Sequence, residues 1–312
     1  MAIIATGSRH DMSYVAESTY GTTPATPTLT PIRHTGTTLA LTKDSVESEE
    51  LRQDRQVVEF RHGNHQIGGD INCELSYGTF DDFLQAALGG TWQTDVPSAG
   101  KDTLVVGTTR RSFTIERYFE DITQYLRYTG VEFNGLNMSI SPNAMVTCNF
   151  SVLGQGQDSV AQTAIAGSSY AAATTTKPFD SFTGSITENG SAIAIVTSIE
   201  IALENGLETA FVVGSKETNQ PTIGKSRVTG TLTAYFVDET LINKFINETE
   251  SSIELVLADL AGNAYTITLP RVKYNSASPD TNSDGAITVP LEFVALYDSV
   301  TGTNFKIVRD PV

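Results

Sequence analysis

Few residues of this 312-residue chain stand at spacings that do chemistry. His62 and His65 lie close together in HGNH, but no Cys, Asp or Glu ligand set surrounds them at metal-site spacing, so they read as an exposed loop pair. Asp280, Asn282, Asp284 and Gly285 open like a calcium loop; its twelfth position falls on Leu291, where a bidentate Glu is required. A polar hairpin turn is the expectation there. Glu49-Glu50 and Asp81-Asp82 read as surface or helix-cap charges. No Gly-rich phosphate loop follows a strand, and there is no nucleophile elbow. Cys73 and Cys148 fall on the apolar side of strand alternation and are expected as buried thiols. The sequence therefore predicts no catalytic, cofactor or metal site and no enzyme.

The charge balance narrows the partners. The net charge is −16, about −8 in each half, spread without an acidic tail. Such a surface offers no phosphate-neutralising patch, which argues against ordinary nucleic-acid binding. It still suits a surface that nucleic acid passes without sticking. No apolar run approaches the ~18–20 residues of a membrane span, so no membrane partner is expected. The opening MAIIATGSRHDMSY lacks a basic segment and a long apolar stretch, and the chain is expected in a cytoplasm.

What positions these residues is a plan stated twice. GDINCELSYG, from Gly69, alternates polar and apolar residues and runs into TFDDFLQAALGG; GTLTAYFV, from Gly230, runs into DETLINKFINET. TGTTLALTKD (from Thr35) answers TSIEIALENG (from Thr197), and GVEFN (from Gly130) answers RVKYN (from Arg271). Each copy closes on a long strand, AMVTCNFSVLG or AITVPLEFVALYD. Period-two alternation predicts strands, and Phe80, Phe83, Leu84, Ala87 and Leu88 predict a helix capped by Thr79 and ended by Gly89-Gly90. A repeated β-rich unit points to a ring or fibre of like parts.

The expected organisation is an extended, proline-bearing arm over 1–34, a first unit over 35–156, a small-residue linker over 157–178, and a second unit with a short tail over 179–312. Between Thr42 and Gln66 lies a charged stretch, a long twisted hairpin or a loop, with an apolar kernel of Val57, Val58 and Phe60. The second unit has its own kernel, Phe211, Val212 and Val213. These extensions are expected at an intersubunit contact, or folded back on their own unit.

SYVAESTYGTTPATPTLTPIRHTGTTLALTKDSVESEELR, followed by GGDINCELSYGTFDDFLQAALGGTW, resembles the major tail tube proteins of long-tailed, non-contractile bacteriophages. The resemblance covers most of the first unit; the second lacks the Gly-Gly-Trp. It implies a mainly β fold of two tandem sandwich or partial-barrel units, each with one short flanking helix. It also implies chains joined edge to edge into rings that stack, in the virion tail, into a tube for DNA, assembled in the host bacterial cytoplasm. Tape measure and tail-end proteins are the further partners implied. With two units per chain, three chains per ring with pseudo-sixfold symmetry are expected; six chains, the second unit being decoration, is the alternative. Asp70, Glu74, Glu132, Glu200, Glu204 and Glu292 are expected on the lumen wall. The arm and the two extensions are expected at stacking contacts, so that deleting 2–30 leaves folded protein unable to polymerise. From another class, a β-sandwich adhesin or glycan-binding module is the rival; it would want exposed aromatics in a shallow site.

Overall fold

A computed structural model describes residues 3–193, 195–281 and 284–312. The first half holds β1 (His10–Ala16), β2 (Thr28–Pro31), β3 (His34–Thr37), β4 (Ala40–Glu47) and β5 (Phe60–Glu74). After α1 (Asp81–Leu88) come β6 (Asp102–Val105), β7 (Phe113–Phe119), β8 (Gln124–Ile140) and β9 (Thr147–Gly154). The middle carries β10 (Gly156–Gln157) and β11 (Ser169–Tyr170). The second half holds β12 (Ser185–Glu188), β13 (Ser191–Ala192), β14 (Val196–Glu204), β15 (Glu208–Ala210), β16 (Asn219–Thr222) and β17 (Arg227–Tyr235). After α2 (Thr240–Ile246) follow β18 (Ser251–Ala258), β19 (Ala264–Ala277), β20 (Thr288–Ala295) and β21 (Lys306–Asp310). The fold is mainly β with two short helices, as the alternation predicts.

The strand order repeats. β4 pairs with β5, β5 with β9, β9 with β8 and β8 with β7. In the second half β14 pairs with β17, β17 with β20, β20 with β19 and β19 with β18. The irregularities repeat as well. A bulge at Thr35 in β3 recurs at Thr197 in β14, and one at Asn134 in β8 recurs at Asn275 in β19. Gly69 and Gly230 stand at matching places where the neighbouring backbone comes too close for a side chain. A Cβ on Gly69 would meet the Thr38 carbonyl at 2.6 Å, and one on Gly230 the Glu200 oxygen at 2.2 Å.

The two halves are not separate bodies. The C-terminal end of β8 pairs antiparallel with β14, from Ile140 opposite Ile199 to Gly135 opposite Glu204. The sheet thus runs unbroken through eight strands, β4-β5-β9-β8-β14-β17-β20-β19. β21 fastens the halves a second time, pairing with β19 on one side and β6 on the other. One buried apolar cluster spans both halves. What the sequence presents as a tail therefore includes a strand with Ile307 buried. The small-residue stretch is laid along the first half: β10 pairs with β8, β11 with β2, and Thr176 accepts a hydrogen bond from Arg33 at 2.6 Å through its carbonyl.

Three further expectations need correction. Deleting 2–30 would not leave folded protein, because the arm lies on its own half: β1 pairs along its whole length with β7, and Met12, Tyr14 and Leu29 are buried in the core. Thr79 does not cap α1, because its hydroxyl is engaged by Ser76 and Thr174; Phe80 holds the cap position. The helix does end at Gly89, left-handed at φ 61°, with its apolar face buried as spaced. The charged stretch takes the hairpin form of its two expected alternatives, β4 against β5, joined by an exposed loop over 48–59. His62 and His65 accordingly lie on strand β5 rather than in a loop. Part of the calcium-loop resemblance, Asn282 and Ser283, lies outside the described residues.

Candidate functional site: a polar sheet face

Strand alternation divides the eight-stranded sheet into two surfaces. Ile71, Phe150, Leu136, Ile201, Leu232 and Phe293 turn into the core and are buried. Their neighbours in sequence form a continuous polar face crossing the seam between the halves.

The face is ordered in rows by the strand register. In one row Glu74 stands opposite Thr147, Thr147 opposite Ser139, Ser139 opposite Glu200, Glu200 opposite Thr231 and Thr231 opposite Glu292. A second runs Asp70, Ser151, Gly135, Glu204, Arg227. Between them Asn72, Asn149 and Asn137 line up, with Asn149 Nδ2 donating to Asn72 Oδ1 at 2.7 Å. At roughly 4.8 Å per strand, Glu74 and Glu200 are about 14 Å apart and Glu200 and Glu292 about 10 Å. Such separations are near a Debye length, so the carboxylates repel one another weakly yet present a field of one sign.

Five of the six acids singled out by sequence, Asp70, Glu74, Glu200, Glu204 and Glu292, therefore share this face. Glu132 does not. It is 4% exposed, paired with Arg110, and accepts Gln220 Nε2 at 2.7 Å. The bulge at Asn134 shifts the register beyond it, and the loop strand β16 covers it.

The apolar kernels remain exposed: Val57, Val58 and Phe60 by the 48–59 loop, Val212 and Val213 in the loop between β15 and β16, with Phe211 half-buried. The second loop leans on the first half, where His65 N donates to Lys216 O at 2.7 Å. Among the described residues the 48–59 loop is held by local bonds such as Arg52 to Asp54.

Other chemistry-bearing residues have structural work. Asp81 accepts the Tyr265 hydroxyl at 2.5 Å and pairs with Arg309, whose guanidinium lies 4.7 Å over the Trp92 ring. Asp82 accepts the Tyr14 hydroxyl at 2.9 Å. Trp92 thus anchors the end of the α1 segment against β19 and β21, not a shallow binding site. Cys73 and Cys148 face each other across β5 and β9; burial pushes the Cys73 thiol up to about 12 and the Cys148 thiol well above its usual value, which leaves both as inert thiols. Among the described residues no group of three His, Cys, Asp or Glu could hold a metal ion, and no helix is long and apolar enough to cross a membrane.

The sequence did not point to the β8–β14 seam or the β21 clasp.

A mainly β sheet with a patterned polar face and no metal cluster among the described residues fits a structural class of protein. The profile of the phage tail tube protein family matches residues 7–295, nearly the whole chain, and the chain belongs to that family. It is a structural protein of the bacteriophage virion, a component of the tail. A search of curated proteins finds no match to the chain.

Proposed function

We propose that three copies of this chain close into a ring with pseudo-sixfold symmetry. The rings stack into the tail tube, and the polar sheet face lines its bore as a conduit for DNA ejection. The observation carrying this is the seam: the chain already contains one unit-to-unit junction, β8 with β14, inside a strand order that occurs twice. Each half is then one copy of a tube unit, and a ring of six units takes three chains.

The dimensions agree with that use. Three chains of eight wall strands give a 24-stranded barrel, whose circumference at about 4.8 Å per strand is roughly 115 Å before tilt widens it. After a layer of side chains, the bore still admits a duplex. The ring carries −48 of formal charge (three chains at −16), and the rows through Glu74, Glu200 and Glu292 turn part of it inward. A wall of that sign attracts no phosphate and releases no counterions, so DNA slides rather than binds. Assembly takes place in the host bacterial cytoplasm, around a tape measure protein and between tail-end proteins.

End-on images of purified, assembled protein test this. Rings of three chains with sixfold-like projection are expected; six chains per ring, or particles that stay monomeric under every assembly condition, would overturn it. Replacing Glu74, Glu200 and Glu292 together by Lys is expected to yield tubes that retain DNA, where wild-type tubes do not.

A further inference from the structure

Resting on that reading, we infer the strand joint between copies and its register: the free edge of β3–β4 in one copy adds to the free edge of β19 in the next, repeating the internal β8–β14 joint residue for residue.

Two edges are left open among the described residues. β3 and β4 pair only with β5. β19 beyond Val272 pairs only with β20. Their internal counterparts are not open. β14, which copies β3–β4, carries β8 on its outer side, and β8, which copies β19, carries β14. The open edges are the two places where the repeat lacks a neighbour it has elsewhere, and they complement each other in kind and direction. Unpaired backbone groups along an edge are a template for another strand.

The register follows from constant offsets. Leu41 faces Ile67 as Leu203 faces Val228, which sets β14 162 residues after β4. Phe133 faces Val152 as Tyr274 faces Phe293, which sets β19 141 residues after β8. Internally Ala202 stands opposite Asn137, Leu203 opposite Leu136 and Glu204 opposite Gly135. Carried over, Ala40 meets Ser278, Leu41 meets Ala277 and Thr42 meets Ser276 of the next copy.

The bulged asparagines support the same joint. Asn134 accepts Asn205 N through its carbonyl and Leu207 N through its side-chain oxygen, both at 2.7 Å. Asn275 repeats that bulge, is exposed, and has no hydrogen-bond partner for its side chain among the described residues. In the joint it receives the backbone of the incoming copy just past β4's Thr42. The exposed 48–59 loop of that copy then lies over the second half, as the β15–β16 loop lies over the first.

A paired-cysteine experiment reads the register. Directly opposed residues have Cβ atoms about 4.5–5.5 Å apart, close to what a disulfide spans, whereas diagonal ones are ~7–8 Å apart. Assembled Ala40→Cys/Ser278→Cys protein, oxidised with diamide, is expected to give a covalent ladder ending at three chains. The offset pair Ala40→Cys/Ser276→Cys and the single variants are expected to give monomers. In parallel, wild-type protein is followed by hydrogen exchange, which needs no variant to fold. The amides of 276–278 are expected to slow roughly tenfold or more on assembly, while those of β20, already paired on both sides, do not change. Tubes that form with neither the ladder nor the protection, or with the offset pair linking equally well, would overturn the joint and leave the tube reading standing. Protein that never assembles would overturn the tube reading itself, and the joint with it.

Discussion

His10 sits in a relay that holds its imidazole neutral. Arg117 Nε donates to His10 Nε2 at 3.0 Å, His10 Nδ1 meets His34 Nε2 at 2.9 Å, and His34 Nδ1 meets the Ile32 carbonyl at 3.1 Å. Neutral imidazoles satisfy that relay in one direction, with every donor facing an acceptor. Burial first, then Arg117 and His34, push the His10 pKa down to about 4. The unfolded chain takes up this proton near pH 6.5 and the folded one only near pH 4, so His10 erodes stability as pH falls through that window and not above it. His10→Gln is expected to flatten the fall of Tm between pH 6.5 and 4; an unchanged profile would refute the assignment. None of this was legible in the sequence, because His34 reaches His10 through β1 pairing with β2, and Arg117 reaches it through β1 pairing with β7. The acidic residues of the polar face were more legible. Asp70, Glu74, Glu200, Glu204 and Glu292 each alternate with buried apolar residues, and alternation alone fixes a face. Glu132 obeys the same alternation and still departs, since a bulge two residues on and a covering loop are invisible to period-two counting.

At the scale of elements, the repeat was readable because strand, helix and closing strand recur in order. What sequence comparison could not supply was the partner of each edge, which depends on pairings between residues far apart. The glycines at Gly69 and Gly230 show how local these requirements are. Each sits where the bulged neighbour strand presses its backbone against the sheet, and Gly230 also lies under the Phe293 ring, 2.4 Å from where a Cβ would be. Gly230→Ala is expected to destabilise the monomer by about 2 kcal/mol or more, since backbone and a buried ring must both shift. Chemical denaturation of the monomer measures it, and a loss under 0.5 kcal/mol would mean the sheet yields there. Asn134 and Asn275 divide along the same line. Asn134→Ala is expected to lower monomer stability, whereas Asn275→Ala is expected to leave it unchanged and weaken ring formation, as sedimentation would read.

Over the whole molecule, charge and topology act in opposite senses. Each copy brings −16, so closing a ring gathers like charge, while edge pairing rewards closure. Salt screens the first and hardly touches the second, so ring formation is expected to strengthen from about 0.01 to 0.15 M ionic strength, as the Debye length falls from roughly 30 to 8 Å. Weaker assembly over that range would point to ion pairs as the joint instead. The mainly β class and the family were legible in the sequence; the fusion of both halves into one body was not, because the fastening strand β21 looks like a tail until its partner is known. That strand also sets a timetable for the newborn chain. Arg309 holds Asp102 across 207 positions, so translation must run that far before β6 meets its mate. At about 5–20 residues per second the ribosome needs roughly 10–40 s for the interval. For that time the nascent first half waits unlatched, and a chaperone has its opening then and not later.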